Sequence, residues 1–405
     1  MKAILAGINL KKTADFDEKM EECRNLCQAL GLEVVLTISQ TANSLDPNTG
    51  FRKGKLEELK VAITETKADE IVFMNSLSAS TIYHLEDYLD IRVIDRTALI
   101  LDIFSQRAHS KEALIQTEMA RLKYNLPKML RDDGDSDRMR GGVNNRGAGE
   151  NRVEIISRQM ERRIGELKKE LDSLKDRREE QGRKRNRSNK KKVALVGYTN
   201  AGKSSLMNRL LLENDRTEKS VYAKDQLFAT LDTAVRNISY KNYDFLLFDT
   251  VGFVSDLPHE LIEAFSSTLE AVKEADLLLH VLDCSNSNYE NQREITLSTL
   301  KRIGADEIPI LEVYNKCDLM KDNKPEGLLI SCLENIGIDM LLQETVSLLY
   351  PRDCQKQVLI PYQKLYLLDR YASFLDFSLI EHLEEGTLYE VAGAEKDLLS
   401  LCNNL

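Results

Sequence analysis

The sequence predicts an α/β protein: a central parallel-sheet domain, preceded by a smaller parallel α/β domain with a long helical hairpin and followed by a small α+β module. Three observations predict it. Short apolar runs alternate with amphipathic ones over residues 1–108. Helical periodicity then dominates residues 109–187. Beyond that, the apolar run Val193-Ala194-Leu195-Val196 leads through a glycine-bearing turn into a second helical stretch, 205–212.

In the first domain, strands are expected at 3–7, 34–39, 71–75 and 93–95, with amphipathic runs between them at 16–30, 56–66 and 81–89. That alternation implies a parallel sheet with right-handed crossovers. Gly50-Phe51-Arg52-Lys53-Gly54-Lys55 precedes a helix and has two readings, an anion site and a plain turn; its glycine spacing is not that of a phosphate loop, which favours the turn. From 99 the periodicity reads as one helix running to 126, before Pro127. A second helix, 153–181, is dense in charge pairs at helical spacing. Between them lies a polar, glycine-bearing stretch, 131–151, expected as a loop. Unstructured loops of such length are functional or disordered, and two antiparallel helices joined by one make an arm.

Charge singles out the same arm. The chain carries a net charge of −10. Residues 138–192 hold 19 of its Lys and Arg but only 9 of its Asp and Glu, a local surplus of 10 in an otherwise acidic protein. The densest part is Arg183-Lys184-Arg185-Asn186-Arg187 with Lys190-Lys191-Lys192. A charge run is commonly a solvated helix face. Confinement to one element points instead to phosphate-backbone binding, which is strongly salt-dependent.

The central domain, 190–350, carries the chemistry. Gly197-Tyr198-Thr199-Asn200-Ala201-Gly202-Lys203-Ser204 sits between strand and helix, the context a P-loop requires. Its backbone N–H groups and the helix N-terminus, entered at Ser205, cradle phosphate oxygens. Lys203 is expected at the β/γ-phosphates and the Ser204 hydroxyl on Mg²⁺. Asp249-Thr250-Val251-Gly252 follows the apolar run Phe245-Leu246-Leu247-Phe248, so Asp249 emerges at a strand end where it holds the Mg²⁺ water shell, and Gly252 offers its N–H to a γ-phosphate. In Asn315-Lys316-Cys317-Asp318 the last carboxylate accepts from both N1–H and the 2-amino group of guanine, a pattern adenine lacks. Ser331, Cys332 and Leu333 complete the base pocket. The chain therefore reads as a GTP-hydrolysing enzyme with GTP/GDP and Mg²⁺ as ligands, and Lys203, Thr230 and Gly252 as its catalytic candidates.

A threonine must close over Mg²⁺ in the triphosphate state, making it a third metal ligand beside Ser204 and Asp249. Thr230, in Gln226-Leu227-Phe228-Ala229-Thr230-Leu231-Asp232-Thr233, is the candidate, with Thr233 in reserve and Phe228 beside the nucleotide. Phe253 follows Gly252 where many small GTPases carry a water-orienting Gln. Phe cannot polarise water, so hydrolysis is expected to be slow alone and stimulated by a partner. Asn200 has two readings, a K⁺ ligand beside the phosphates and a turn residue.

The last module, 356–405, reads strand, helix (364–375), two strands and a helix (394–401). Seven scattered cysteines suit reduced thiols in a cytoplasm, and no metal pattern can be built from them with the five histidines. No run is long and apolar enough for a membrane span, the first residues read as a strand rather than a signal peptide, and a monomer is expected.

Beyond the nucleotide motifs, Gly54-Lys55-Leu56-Glu57-Glu58-Leu59, Val93-Ile94-Asp95-Arg96-Thr97-Ala98-Leu99-Ile100-Leu101-Asp102-Ile103-Phe104, Gln106-Arg107-Ala108, Arg146-Gly147-Ala148-Gly149-Glu150 and Phe228-Ala229-Thr230-Leu231-Asp232 stand out. Over nearly its whole length the chain resembles the HflX family of ribosome-associated GTPases, within the Obg-like group. The resemblance implies binding to the large ribosomal subunit and its rRNA, GTP-dependent splitting of stalled or idle ribosomes, and an arm approaching the peptidyl-transferase region. The chain departs from the family pattern at Val143-Asn144-Asn145 and Ala148, at Leu231-Asp232-Thr233-Ala234, which lacks a Pro after Asp, and at Cys332, where Ala is common. These departures fit a divergent paralogue. The alternatives are an antibiotic-protection paralogue, a ribosome-assembly GTPase and an RNA-binding or remodelling protein that works without GTP.

Overall fold

Strand β1 (Lys2–Leu10) sends alternate side chains to two helix layers, and both are buried. Ala3 and Leu5 join one core, Ile4, Ala6 and Ile8 the other. A strand covered on both faces has no polar alternation, which is why this one reads as a continuous apolar run. With β2 (Glu33–Ala42), β3 (Glu70–Phe73) and β4 (Arg92–Asp95) it forms a parallel sheet of order β2-β1-β3-β4. Helix α1 (Phe16–Ala29) contributes Met20, Cys23 and Leu26 to the first core, and α4 (Arg96–Arg107) contributes Leu99, Ile103 and Phe104. On the opposite face α2 (Lys53–Thr66) supplies Leu56 and Leu59, and α3 (Ala79–Leu89) supplies Ile82 and Leu85.

The coordinates are a computed structural model, and they describe all residues except 11–14, 140–145, 186–189, 214–233, 242, 255–270, 321–324, 351–353, 373–374 and 394. The chain divides into two compact units. The first comprises Met1–Arg187, Lys224–Asp232 and Val251–Glu270, the second Ser188–Ala223, Thr233–Thr250 and Ala271–Leu405.

The helical stretch expected over 99–126 is two helices. Helix α4 ends at Arg107, and Ala108 adopts extended backbone. Helix α5 (Lys111–Met139) restarts behind Ser110, whose hydroxyl accepts from Ala113 N–H at 3.1 Å. Such a cap contributes about 1 kcal/mol, enough to restart a helix inside a continuous periodicity. Pro127 does not end α5 but lies inside it. Helix α6 (Arg146–Arg185) also begins earlier than expected, so only 140–145 of the anticipated loop lies outside the described residues. Good helix formers such as Arg and Met outweigh the scattered glycines of that stretch.

Helices α5 and α6 pair through Ile115, Met119 and Leu122 against Ile164, Leu167, Leu171 and Leu174, each set at three- and four-residue spacing. Ion pairs Lys111–Glu170 at 2.6 Å and Arg163–Glu118 at 2.8 Å cross the seam. Exposed as they are, these set register more than stability. The base of the hairpin is anchored in the first core by Ala113, Ala120 and Tyr124. The Tyr124 hydroxyl donates to Asp95 Oδ1 at 2.5 Å, and burial with that carboxylate pushes its pKa up.

The second unit holds a six-stranded sheet of order β10-β9-β8-β5-β7-β6, parallel except for the β6–β7 pair. Its strands are β5 (Lys191–Val196), β6 (Ala234–Tyr240), β7 (Tyr243–Asp249), β8 (Leu277–Asp283), β9 (Ile310–Asn315) and β10 (Leu328–Leu329). One face buries Val193, Leu195, Leu279 and Val281 against Leu206 and Leu210 of α7 (Lys203–Glu213) and Leu341 and Leu342 of α9 (Ile338–Leu349). Helix α8 (Tyr289–Ile303) lies between β8 and β9 in the chain. His280, in mid-β8, is fully buried; burial first, then Arg293 and Lys203, push its pKa down to about 3, so it is neutral.

The last elements form an antiparallel sheet of order β11-β13-β12, from β11 (Cys354–Pro361), β12 (Leu375–Leu383) and β13 (Gly386–Gly393), with α10 (Tyr366–Tyr371) and α11 (Glu395–Asn404). Leu375, expected to end a helix, begins β12 instead. Pairing with Gly393 and burial beside Leu398 and Leu401 outweigh its helical propensity.

Candidate functional site

Strand β5 ends buried, and the turn that follows leaves no room for side chains at two places. Gly197 has φ 146°, and a Cβ there would stand 2.3 Å from the Val281 carbonyl oxygen. Gly202 has φ 98°, and a Cβ would stand 2.1 Å from Asn315 Nδ2. Only glycine fits either position. Asn200, exposed between them, has φ 62°, a left-handed conformation that Asn tolerates better than most residues. Tyr198, Thr199 and Ala201 are buried, while Ser204 and Ser205 are half-buried in the first turn of α7.

Lys203 is buried with its side chain folded back over the turn. Its Nζ donates to the carbonyls of Gly197 at 3.0 Å and Tyr198 at 2.7 Å. Burial pushes its pKa down to about 8, against a smaller upward effect of Asp249. A buried ammonium at the N-terminus of α7 suits an anion, which would compete with the two carbonyls for it. The Ser204 hydroxyl donates to Asp249 Oδ2 at 2.6 Å, and Thr250 Oγ1 donates to the Leu195 carbonyl at 2.6 Å, tying the end of β7 to β5. An alcohol oxygen and a carboxylate oxygen so close together are the hard donors that Mg²⁺ takes.

The base-recognition residues converge on one side chain. Asn315 is buried at the end of β9; its Nδ2 donates to the Ala201 carbonyl at 2.9 Å and its Oδ1 accepts from Cys332 N–H at 3.2 Å. It therefore joins the phosphate turn to the 331–333 loop. Lys316, at φ 64°, pairs with Asp283 at 2.6 Å. Asp318 stands exposed in a single 3-10 turn, Cys317–Leu319. Ser331 is buried, its hydroxyl accepting from Glu334 N–H at 3.1 Å, and Leu333 is 74 % exposed.

Two residues here escape the motif reading. Asp283 closes the apolar strand β8 as Asp249 closes β7, a signal that was open to notice. Arg209 lies within α7, and nothing in its spacing announces a role. Phe228, Thr230 and Thr233 lie outside the described residues. Val251, Gly252 and Phe253 are buried and belong to the first unit, whose core includes Val251 and Val254.

Gly202→Ala tests the close packing. Forcing a methyl against a fixed side chain costs roughly 1–3 kcal/mol, so GDP affinity by fluorescence titration is expected to fall about tenfold or more. Gly54→Ala, where an added Cβ meets nothing within 4 Å, is the control. Equal affinities in the two variants would contradict the packing argument.

Comparison with known proteins points to GTPases. A family model described as "GTP-binding GTPase N-terminal" matches residues 17–105, "GTP-binding GTPase Middle Region" matches 107–185, and "50S ribosome-binding GTPase" matches 192–316. GTPase HflX of Caldanaerobacter subterraneus subsp. tengcongensis is 38% identical over 367 residues, covering 90% of this chain and 84% of the relative. GTPase HflX of Lacrimispora saccharolytica is 35% identical over 414 residues, covering 100% of this chain and 96% of the relative. A solved structure described as "crystal structure of SsGBP and GDP complex" is 26% identical, with a TM-score of 0.49, covering 86% of this chain and 98% of that one. The phosphate turn, the Asn315 tie and the relatives lead to one conclusion: the chain belongs to the HflX family of GTPases, enzymes that bind and hydrolyse GTP.

Proposed function

We propose that this GTPase acts in the cytoplasm on the large ribosomal subunit, and that its nucleotide state governs the separation of joined ribosomes. The observation that carries the reading is the basic surplus on α6, since Lys190, Lys191 and Lys192 beyond it pair with Asp244, Asp276 and Glu274. An arm with that charge, attached to a nucleotide-binding unit in an otherwise acidic chain, suits rRNA phosphates. The match of 192–316 to a family model described as ribosome-binding supports the same partner. In this reading 1–108 and the arm 109–187 make the ribosomal contact, 190–350 binds the nucleotide and 356–405 is an accessory module.

Within the pocket, Lys203 neutralises charge on the β- and γ-phosphates, and Gly252 N–H meets the γ-phosphate when GTP is bound. The backbone of Gly197, Tyr198, Thr199, Asn200, Ala201 and Gly202 encloses the phosphates, with Ser205 behind. Asp318 reads guanine N1–H and the 2-amino group, while Ser331, Cys332 and Leu333 close the far side of the base. Ser204, Asp249 and Thr230 would hold Mg²⁺, which supplies charge neutralisation between the β- and γ-phosphates. For Asn200 the left-handed φ favours the turn reading, and K⁺ coordination is the second.

The test measures sedimentation with ribosomes, the fraction of joined particles and GTP turnover, with and without large subunits. GTP-loaded protein is expected to co-sediment and to lower the joined fraction, and turnover to rise at least tenfold on large subunits. Phe253 occupies the position of a water-orienting Gln, so turnover alone is slow. Protein that neither sediments with ribosomes nor lowers the joined fraction sinks the proposal. Preference for immature subunits would instead identify an assembly factor.

A further inference from the structure

Arg209 lies six residues beyond Lys203 on α7. Its guanidinium reaches the base loop: Nε donates to the Cys332 carbonyl at 2.7 Å and Nη2 to the Leu333 carbonyl at 2.9 Å. Two consecutive carbonyls are thus held by one planar fork, an arrangement a lysine cannot reproduce. We propose that Arg209 is a positioning residue for guanine recognition, a clamp between the P-loop helix and the 331–333 loop. The inference rests on the reading that Asn315–Asp318 and Ser331–Leu333 enclose the base.

First, the clamp reaches the exposed end of the loop: Leu333 is 74 % exposed, whereas Ser331 and Cys332 are buried and tied by the Ser331–Ile336 bridge, the Ser331–Glu334 bond and the Cys332 N–H bond to Asn315. Second, the clamp acts at the residue that matters. Cys332 donates to Asn315 Oδ1 through its N–H and accepts from Arg209 through its carbonyl, so a slipping loop would loosen Asn315 as well. Third, the bonds are charge-assisted, and such bonds are about twice as strong as neutral ones. The Cys332 thiol, pushed up to about 12 chiefly by burial, is neutral, so it offers Arg209 no competing anion.

The test uses the full chain and three probes: GDP, IDP, which lacks the 2-amino group, and pyrophosphate, which has no base. Arg209→Ala is expected to weaken GDP and IDP alike, by about tenfold. Their ratio stays at the unsubstituted value, because the 2-amino group is read by Asp318, and pyrophosphate binding is unaffected. In Asp318→Ala the GDP/IDP ratio collapses towards one. Arg209→Gln, which keeps the stem and one donor, is expected to fall between Ala and Arg, and it carries the test if Arg209→Ala does not fold. Unaltered GDP affinity in both Arg209 variants overturns the clamp. So does an equal loss of pyrophosphate, which would place Arg209's effect on the helix rather than on the loop. Should Asp318→Ala leave the GDP/IDP ratio unchanged, the underlying base-site reading fails instead, and the two failures are distinguishable.

Discussion

Replacing Lys203 with Ala is expected to lower the rate of GTP hydrolysis at saturating nucleotide by about a hundredfold to a thousandfold, the scale on which a single preorganised donor acts on developing negative charge. Lys203 is buried at the mouth of the phosphate turn, with its ammonium held by two carbonyls of that turn. A triphosphate entering there would find the positive charge already desolvated, where it interacts far more strongly than in water. Alanine removes the charge and leaves the backbone cradle, so GDP affinity is expected to fall as well. Phosphate release and GDP titration, with circular dichroism as a folding check, measure all three quantities. A folded Lys203→Ala protein hydrolysing GTP within threefold of the unsubstituted rate would remove Lys203 from the mechanism.

The second large effect is a change of substrate. Asp318→Asn replaces a pure acceptor with an amide that offers one acceptor and one donor. Guanine presents donors at N1 and the 2-amino group. Xanthine keeps N1–H but carries an oxygen at position 2, which an amide N–H satisfies. The preference between GTP and XTP is expected to swing by a factor on the order of 10⁴, as sites built around hydrogen bonds do when one partner is changed. Asp318 is exposed in a short turn and makes no contribution to the cores, so the fold should be indifferent. Competition of GTP and XTP for a fluorescent GDP would reveal the swing, and an unchanged preference for guanine would mean that some other group reads the base.

Much of this was legible in the residues because it rests on local chemistry. The two-sided burial of β1 produces an unbroken apolar run, and the phosphate turn demands glycine at fixed places, so both leave a mark that spacing alone reveals. Asn315 is legible as a motif member, whereas its bonds to Ala201 and Cys332 are not, because they join segments 114 and 17 residues apart. Arg209 was invisible for the same reason. A helical arginine followed by Leu210 reads as a solvated position until the fold brings 332 and 333 alongside it. The break at Ala108 was hidden differently: apolar periodicity runs across it, and one Ser110 cap outweighed that pattern. Leu375 shows tertiary pairing prevailing over propensity.

The way Lys203 satisfies itself sets what a phosphate gains from it. The amine already donates to the carbonyls of Gly197 and Tyr198, so an arriving phosphate competes with those two bonds. The affinity lent by the ammonium is therefore the difference between two sets of contacts, not the whole of the new one.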